Sequence, residues 1–354
     1  MKKIISMILA LAMVLALAGC AGTTVVVNNY NYYGTDTTEA TATTTPIETE
    51  ATGPVAAEGS LSTGLAIVTS LATQDASAEE EGFSDFGITL AAILVDENDV
   101  IVDCAIDAIG HKFTFDATGA LTSDITADVL TKNELGDNYN MKTYGGAIAE
   151  WYEQIDAFES YCIGKTLDEI QNGALTESGY AADADLATSA TINMSDYVSA
   201  LLAAHGNARV LGAASGDKLV LSCTTSQGDA AQGNAQLNVD AVALTVNGEG
   251  VITSCQIDAL QAKASIDENG AVTATNIDTK NTLGFDYNMV AYGGATYEWF
   301  EQAANFAFYI TGKTAAEVEG IAIDEATKPA DADLATSVTI SIYGFKSLIA
   351  KALG

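Results

Sequence analysis

The segment Asp185-Leu186-Ala187-Thr188-Ser189-Ala190-Thr191-Ile192-Asn193 packs hydroxyl, carboxylate and carboxamide groups into one short run, and Asp333-Leu334-Ala335-Thr336-Ser337-Val338-Thr339-Ile340-Ser341 repeats it. Each run stands just before an amphipathic stretch, read from Tyr197, Val198, Leu201 and Leu202 in one case and Phe345, Leu348, Ile349 and Leu353 in the other. A helix start presents unpaired backbone amides and the positive end of its dipole, so a phosphate favours that place and a threonine hydroxyl beside it could hold or esterify one. The same residue types also cap helices with no ligand at all, so both roles are open for Thr191 and Thr339. Two more shared segments fall outside any periodicity: Asn133-Glu134-Leu135-Gly136 with Asn281-Thr282-Leu283-Gly284, and Gly164-Lys165 with Gly312-Lys313. Lys165 and Lys313 are rare cations in an acidic chain and suit a phosphate or a flavin-like ring, although a lysine at a helix C-terminus also simply satisfies the dipole. Asp183 with Asp185, and Asp331 with Asp333, are too few carboxylates for a calcium shell.

These segments belong to a duplication. Thr131 to Gly136, Tyr139 to Met141, Tyr144 to Ala147, Glu150 to Gln154, Gly164 to Thr166 and Asp183 to Ser189 all return 148 residues later, while Cys104 to Asp107 returns as Cys255 to Asp258 after 151. Such a period is too long for a solenoid and fits two domains of ordinary size, placed at 60–206 and 215–354. In each, the first half reads as strand. Ile88 to Val95, Val100 to Ile106 and Lys112 to Phe115 are rich in β-branched and aromatic residues, with turn signals at Asp96-Glu97-Asn98-Asp99 and Asn247-Gly248-Glu249-Gly250. The second half reads as helix, with Ile148, Trp151, Tyr152, Ile155, Phe158 and Cys162 at helical spacing and Trp299, Phe300, Ala303, Phe306 and Ile310 reproducing most of that stripe. Both tryptophans are assigned to packing. Gly164 ends that helix, and Thr166 with Glu169, like Thr314 with Glu317, has the spacing of a capping box. The expected fold class is therefore α+β: two tandem homologous domains, each an antiparallel sheet followed by packed helices.

The order loop, Gly-Lys, hydroxyl-rich run, with strands before and an amphipathic helix after, resembles the extracytoplasmic FMN-binding domain of Rnf and Nqr electron-transfer subunits. That family carries a Thr-Pro-Gly-Leu-Gly type loop, a Gly-Lys, and an Asp-x-x-Ser/Thr-Gly-Ala-Thr-x-Ser/Thr motif whose last Ala-Thr threonine is esterified to the FMN phosphate by a dedicated transferase. The resemblance covers the latter two thirds of each repeat and implies FMN joined covalently through Thr191 or Thr339. Thr188, Ser189 and Ala190, with Thr336 and Ser337, would flank the phosphate, and Leu135, Gly136, Leu283, Gly284, Lys165 and Lys313 would complete the cofactor site. Ser189 and Ser337 stand where the family has glycine, Val338 replaces its alanine, Asn193 replaces the trailing hydroxyl, and the loop has no proline.

The N-terminus gives an address. Lys2 and Lys3 precede an apolar run from Ile4 to Leu17, too short to span a bilayer, and Leu17-Ala18-Gly19-Cys20 resembles the bacterial lipobox. Residues 1–19 then form a signal peptide, Cys20 is the lipid attachment site, and the Thr-rich residues 20–59 form a disordered tether. This places the folded part at the extracytoplasmic face of the cell membrane. Loss of Lys2 and Lys3 takes the formal charge from −33 to −35, which disfavours nucleic acid and leaves attachment to the acyl group alone. Cys104, Cys162, Cys223 and Cys255 are too uneven between the repeats for a disulfide framework and read as small core residues, while His111 and His205 lack counterparts. That leaves no zinc cluster and no Ser/His/Asp set for hydrolysis. Two functions remain. One is flavin-dependent electron transfer by a tethered lipoprotein with an extracytoplasmic redox partner. The other is a non-catalytic surface lipoprotein that uses the same domains, with a decayed flavin site, as a binding or interaction module.

Overall fold

A computed structural model describes residues 24–27, 59–228 and 234–354. The signal segment and Cys20 lie outside the described residues. Within the segment read as a structureless tether, Thr24–Val27 forms a strand, β1, because Thr-Val-Val-Val is β-branched throughout. It pairs antiparallel with Ser70 to Thr73 of β2 (Ser60–Gln74), a strand the sequence reading did not place.

β2 pairs with β3 (Gly82–Val95), and β3 with β4 (Ile101–Phe115), giving the order β1-β2-β3-β4. Two expected strands, Val100 to Ile106 and Lys112 to Phe115, are one. Asp107 to His111 continue the ladder from Leu90↔Asp107 to Phe86↔His111, since Gly110 needs no positive φ there. The second sheet has the order β6 (Lys218–Gln227), β7 (Asn234–Val246), β8 (Ile252–Ile266), β9 (Val272–Asn276). Equivalent bulges at Leu94/Val95 and Thr245/Val246 confirm that β3-β4 and β7-β8 are the same hairpin written twice. β5 (Arg209–Ala214), in the gap between the repeats, adds to the free edge of β2 and so completes the first sheet from beyond the first repeat.

Helices follow each sheet: α1 (Lys132–Leu135), α2 (Met141–Gly145), α3 (Trp151–Cys162), α4 (Leu167–Gly173), α5 (Leu186–Ser189) and α6 (Ser195–Gly206) after the first, and α7 (Lys280–Leu283), α8 (Trp299–Ile310), α9 (Ala315–Glu319) and α10 (Tyr343–Leu353) after the second. The architecture is thus α+β, with antiparallel sheets and helices packed on them in two repeated units.

Alternation along β3 sends its side chains to two different cores. Phe86, Ile88, Leu90, Ala92 and Leu94 face the second sheet and meet Leu237, Val239, Ala241, Ala243 and Leu260. Ala91, Ile93 and Val95 face outward and are covered by Trp151, Ile155 and Phe158 of α3 and by Leu201 of α6. Val242, Leu244 and Ile257 are likewise covered by α8 and α10. The layers run helix, sheet, sheet, helix, and the middle core is built equally from both repeats. Both tryptophans pack as expected, Trp151 donating from Nε1 to the Tyr197 hydroxyl at 2.8 Å. Ile148 does not: it lies ahead of α3 and is 55 % exposed, because Glu150 caps the helix and sets its start at Trp151. The four described cysteines are buried free thiols.

Candidate functional site

Thr191 sits four residues before α6, and Thr339 four before α10. Neither caps its helix. The Ser195 amide is taken by Asn193 Oδ1 at 3.0 Å, and the Tyr343 amide by Ser341 Oγ at 3.4 Å. The threonines turn instead to a glutamine one layer down. Gln154 Oε1 accepts from the Thr191 amide at 2.8 Å and from its hydroxyl at 3.2 Å, and Gln302 Oε1 accepts from the Thr339 amide at 2.7 Å and hydroxyl at 3.2 Å. Both glutamines are fully buried. Their amide groups are fixed in turn, Gln154 Nε2 donating to Ala149 O at 2.9 Å and Gln302 Nε2 to Tyr297 O at 2.8 Å. The result, in duplicate, is a threonine hydroxyl oriented by a buried side chain, with Thr191 exposed and Thr339 half-exposed.

The neighbouring candidates divide. Ala190 is buried against the outer core of the first repeat, and Val338 matches it in the second. Ser189 is exposed and Ser337 half-exposed. Positive φ outside glycine falls on Asp99, Asn140, Asn288 and Thr327 among the described residues, so neither serine needs the backbone freedom of glycine. Thr188 and Thr336 fold back on the carbonyls of Asp185 and Asp333, both at 2.7 Å. Leu135 and Gly136 end α1, and Leu283 and Gly284 end α7. Among the described residues the hydrogen bonds of Thr191 and Thr339 go to Gln154 and Gln302 and not to these loops. Lys165 donates to Tyr161 O at 2.6 Å, the helix-end role, and Lys313 lies 4.4 Å over the Tyr309 ring in a shallow groove shared with Asp331. Among the described residues no group of His, Cys, Asp and Glu could hold a metal ion, and no helix is long and apolar enough to cross a membrane.

Buried and half-buried carboxylates that sequence reasoning passed over hold the loops in place. Asp107 Oδ1 accepts from the Asn133 amide at 3.2 Å and Asp258 Oδ1 from Asn281 at 3.0 Å. Burial raises both, Asp258 to about 6, against the hydrogen bonds from Thr279, Asn281 and Ala259. Glu159 on α3 accepts from the Ile106 amide at 2.6 Å, and burial, reinforced by Asp156, Asp103 and Asp107, pushes it from 4.5 up to about 8. Its proton is held more tightly folded than unfolded, so its contribution is complete below about pH 4.5 and disappears as pH rises through about 8. Glu159→Gln keeps a carbonyl acceptor for Ile106. It should flatten stability across that window and leave the protein about 2 kcal/mol more stable than wild type above pH 8, a figure reduced for the remaining solvation of a half-buried group. Urea midpoints at pH 5, 7 and 9 measure this, and parallel profiles for both proteins would sink it.

A cleft of about 660 Å³ opens between α8, β8 and the start of β5. Phe300, Ala304, Ala307 and Phe308 form one wall, and Asn207, Arg209, Gln256 and Ile257 are on the other. Cys255, Ile257, Asp258 and Asn281 of its lining return from the first unit as Cys104, Ile106, Asp107 and Asn133, but the helix wall does not, Ala304, Ala307 and Phe308 standing where the first unit has Asp156, Glu159 and Ser160, which is why motif comparison between the repeats could not find the cleft.

No family model matches the chain, and no solved structure does. A chlorophenol reductase from Desulfitobacterium hafniense is 30% identical over 110 residues, covering 28% of this chain and 34% of the relative. The chain therefore matches about a third of that relative's length.

Proposed function

We propose that the chain is a lipid-anchored protein of the extracytoplasmic membrane face whose duplicated FMN-binding-like domains serve flavin-dependent electron transfer, with FMN attached through Thr191 or Thr339. The observation that carries this reading is the pair of threonine hydroxyls, set in the same way by Gln154 and Gln302 and not consumed as helix caps. Capping was the one ligand-free role that the sequence offered for them. The partial relative is a reductase, which accords with redox work.

Bound FMN would supply one- and two-electron chemistry, and the protein would supply position and charge. Gln154 and Gln302 orient the acceptor hydroxyls, Ser189 and Ser337 stand two residues before them in the chain, and Asn193 and Ser341 keep the helix entrances formed. Cys20 provides the anchor, and an extracytoplasmic redox partner exchanges electrons with the flavin. Protein isolated from its native host, with the flavin transferase present, should be yellow and carry the mass of FMN on Thr191 or Thr339. The double variant T191A/T339A should lose both. Colourless wild-type protein of unmodified intact mass overturns the reading and leaves the binding module, which the cleft beside α8 favours.

A further inference from the structure

The cleft and Thr339 occupy opposite faces of α8. At 100° per residue, Phe300, Ala304, Ala307 and Thr311 fall together while Gln302, which holds Thr339, points the other way. Whatever the cleft takes is therefore separate from the proposed flavin attachment.

The first repeat shows what fits there. Ala91↔Ile106 and Val242↔Ile257 occupy the same ladder position, and the carbonyls of Ile106 and Ile257 both turn outward to accept from Asn133 and Asn281, at 3.1 and 3.0 Å. The N–H and C=O of one antiparallel residue point the same way, so both amides point outward too. On Ile106 that amide is met by the Glu159 carboxylate; on Ile257 the corresponding side chain is Ala307, and the place is part of the cleft. The charges have changed in the same sense. Asp103 and Asp156, which crowd Glu159, correspond to Ser254 and Ala304. Glu134 of the first repeat, which pairs with Lys351 of the second, corresponds to Thr282 on the cleft wall. Arg209, the single arginine of the sequence, has been added, with its Nη1 on the carbonyls of Gly206 and Ala208 at 3.2 and 2.7 Å. Asp258 and Asp278 also line the cleft, and Asp258 is turned onto the amides of Asn281 and Ala259.

We infer that this cleft binds a small carboxylate with an aromatic or branched apolar body, its carboxylate on the Ile257 amide and Arg209, its body against Phe300, Ala304, Ala307 and Phe308. The first repeat fills the same position with its own Glu159 side chain. An apolar wall with a few convergent polar groups is the usual form of a small-molecule site, and a guanidinium is the side chain best matched to a carboxylate.

Titration of the mature chain with benzoate, followed by calorimetry, tests it, with benzyl alcohol and benzylamine as neutral and cationic probes of the same shape. Benzoate should bind saturably at one site, and R209Q should weaken it by about tenfold. A307E, which supplies the chain's own carboxylate, should abolish it. A304D should also weaken it by returning the acid of the first repeat without filling the space, so a poorly folded A307E does not decide the matter. Failure of benzoate to bind, binding of benzylamine in preference, or indifference to both R209Q and A304D overturns the proposal. None of these outcomes depends on flavin, whose presence is read separately by absorbance and mass.

Discussion

Residues 60–214 expressed alone, the first repeat with β5 included, should fail to give a folded monomer. Phe86, Phe113, Phe115, Ile67, Ile88 and Leu90 are completely buried, and all six belong to the core shared with the second sheet. Exposing each costs about 1.5–3 kcal/mol, so their loss together consumes the 5–15 kcal/mol by which a typical domain is stable. Polar contacts cross the same seam: Thr63 Oγ1 meets Ser254 Oγ at 2.6 Å, and the Leu65 amide donates to Gln256 Oε1 at 2.9 Å. Two outcomes accord with this packing, an expanded chain without near-ultraviolet dichroism, or self-association through the bare sheet face in place of the missing repeat. Sedimentation and near-ultraviolet dichroism distinguish them. A monomer with fixed aromatic signals would show that the middle core is dispensable.

The duplication was legible because its motifs sit on loops and caps, where particular residue types are required. Capping boxes at Thr166/Glu169 and Thr314/Glu317 form as their spacing predicts. The sharing of the core was not legible. β3 is apolar on both faces, and alternation cannot say whether the second face meets a helix or another sheet. Glu150 lies off the helical stripe, so periodicity gives it no buried place, yet it is 4 % exposed, since its carboxylate serves the loop before the helix and not the helix face. Gln154 was hidden in the same way: a polar residue at a buried helical position is recognisable only when its partner, Thr191, 37 residues on, is placed beside it. The cleft beside α8 depends on what Ala307 lacks, and an absent side chain has no motif.

Glu298→Ala should be among the most destabilising single substitutions outside the apolar cores, at about 3–5 kcal/mol. The Glu298 carboxylate is 3 % exposed and accepts from the Met289 amide at 2.8 Å and the Val290 amide at 3.0 Å, while its place in a capping box adds the amide of Glu301. Alanine leaves these donors without an acceptor, and each unsatisfied amide kept from water costs about 1–3 kcal/mol. Glutamine is no remedy, because its NH₂ group would face one of the donors. The effect should reach the proposed flavin threonine. Gln302 Nε2 touches Met289 Sδ at 3.5 Å and donates to Tyr297 O at 2.8 Å, so a loosened 287–297 loop frees the glutamine that holds Thr339. Hydrogen exchange should accordingly quicken at Met289, Val290 and Thr339 in E298A, and at Met141, Lys142 and Thr191 in E150A, whose carboxylate makes the same two bonds at 2.8 and 3.2 Å. Loss of less than about 1 kcal/mol, or unchanged exchange at the threonines, would separate the loop anchor from the site.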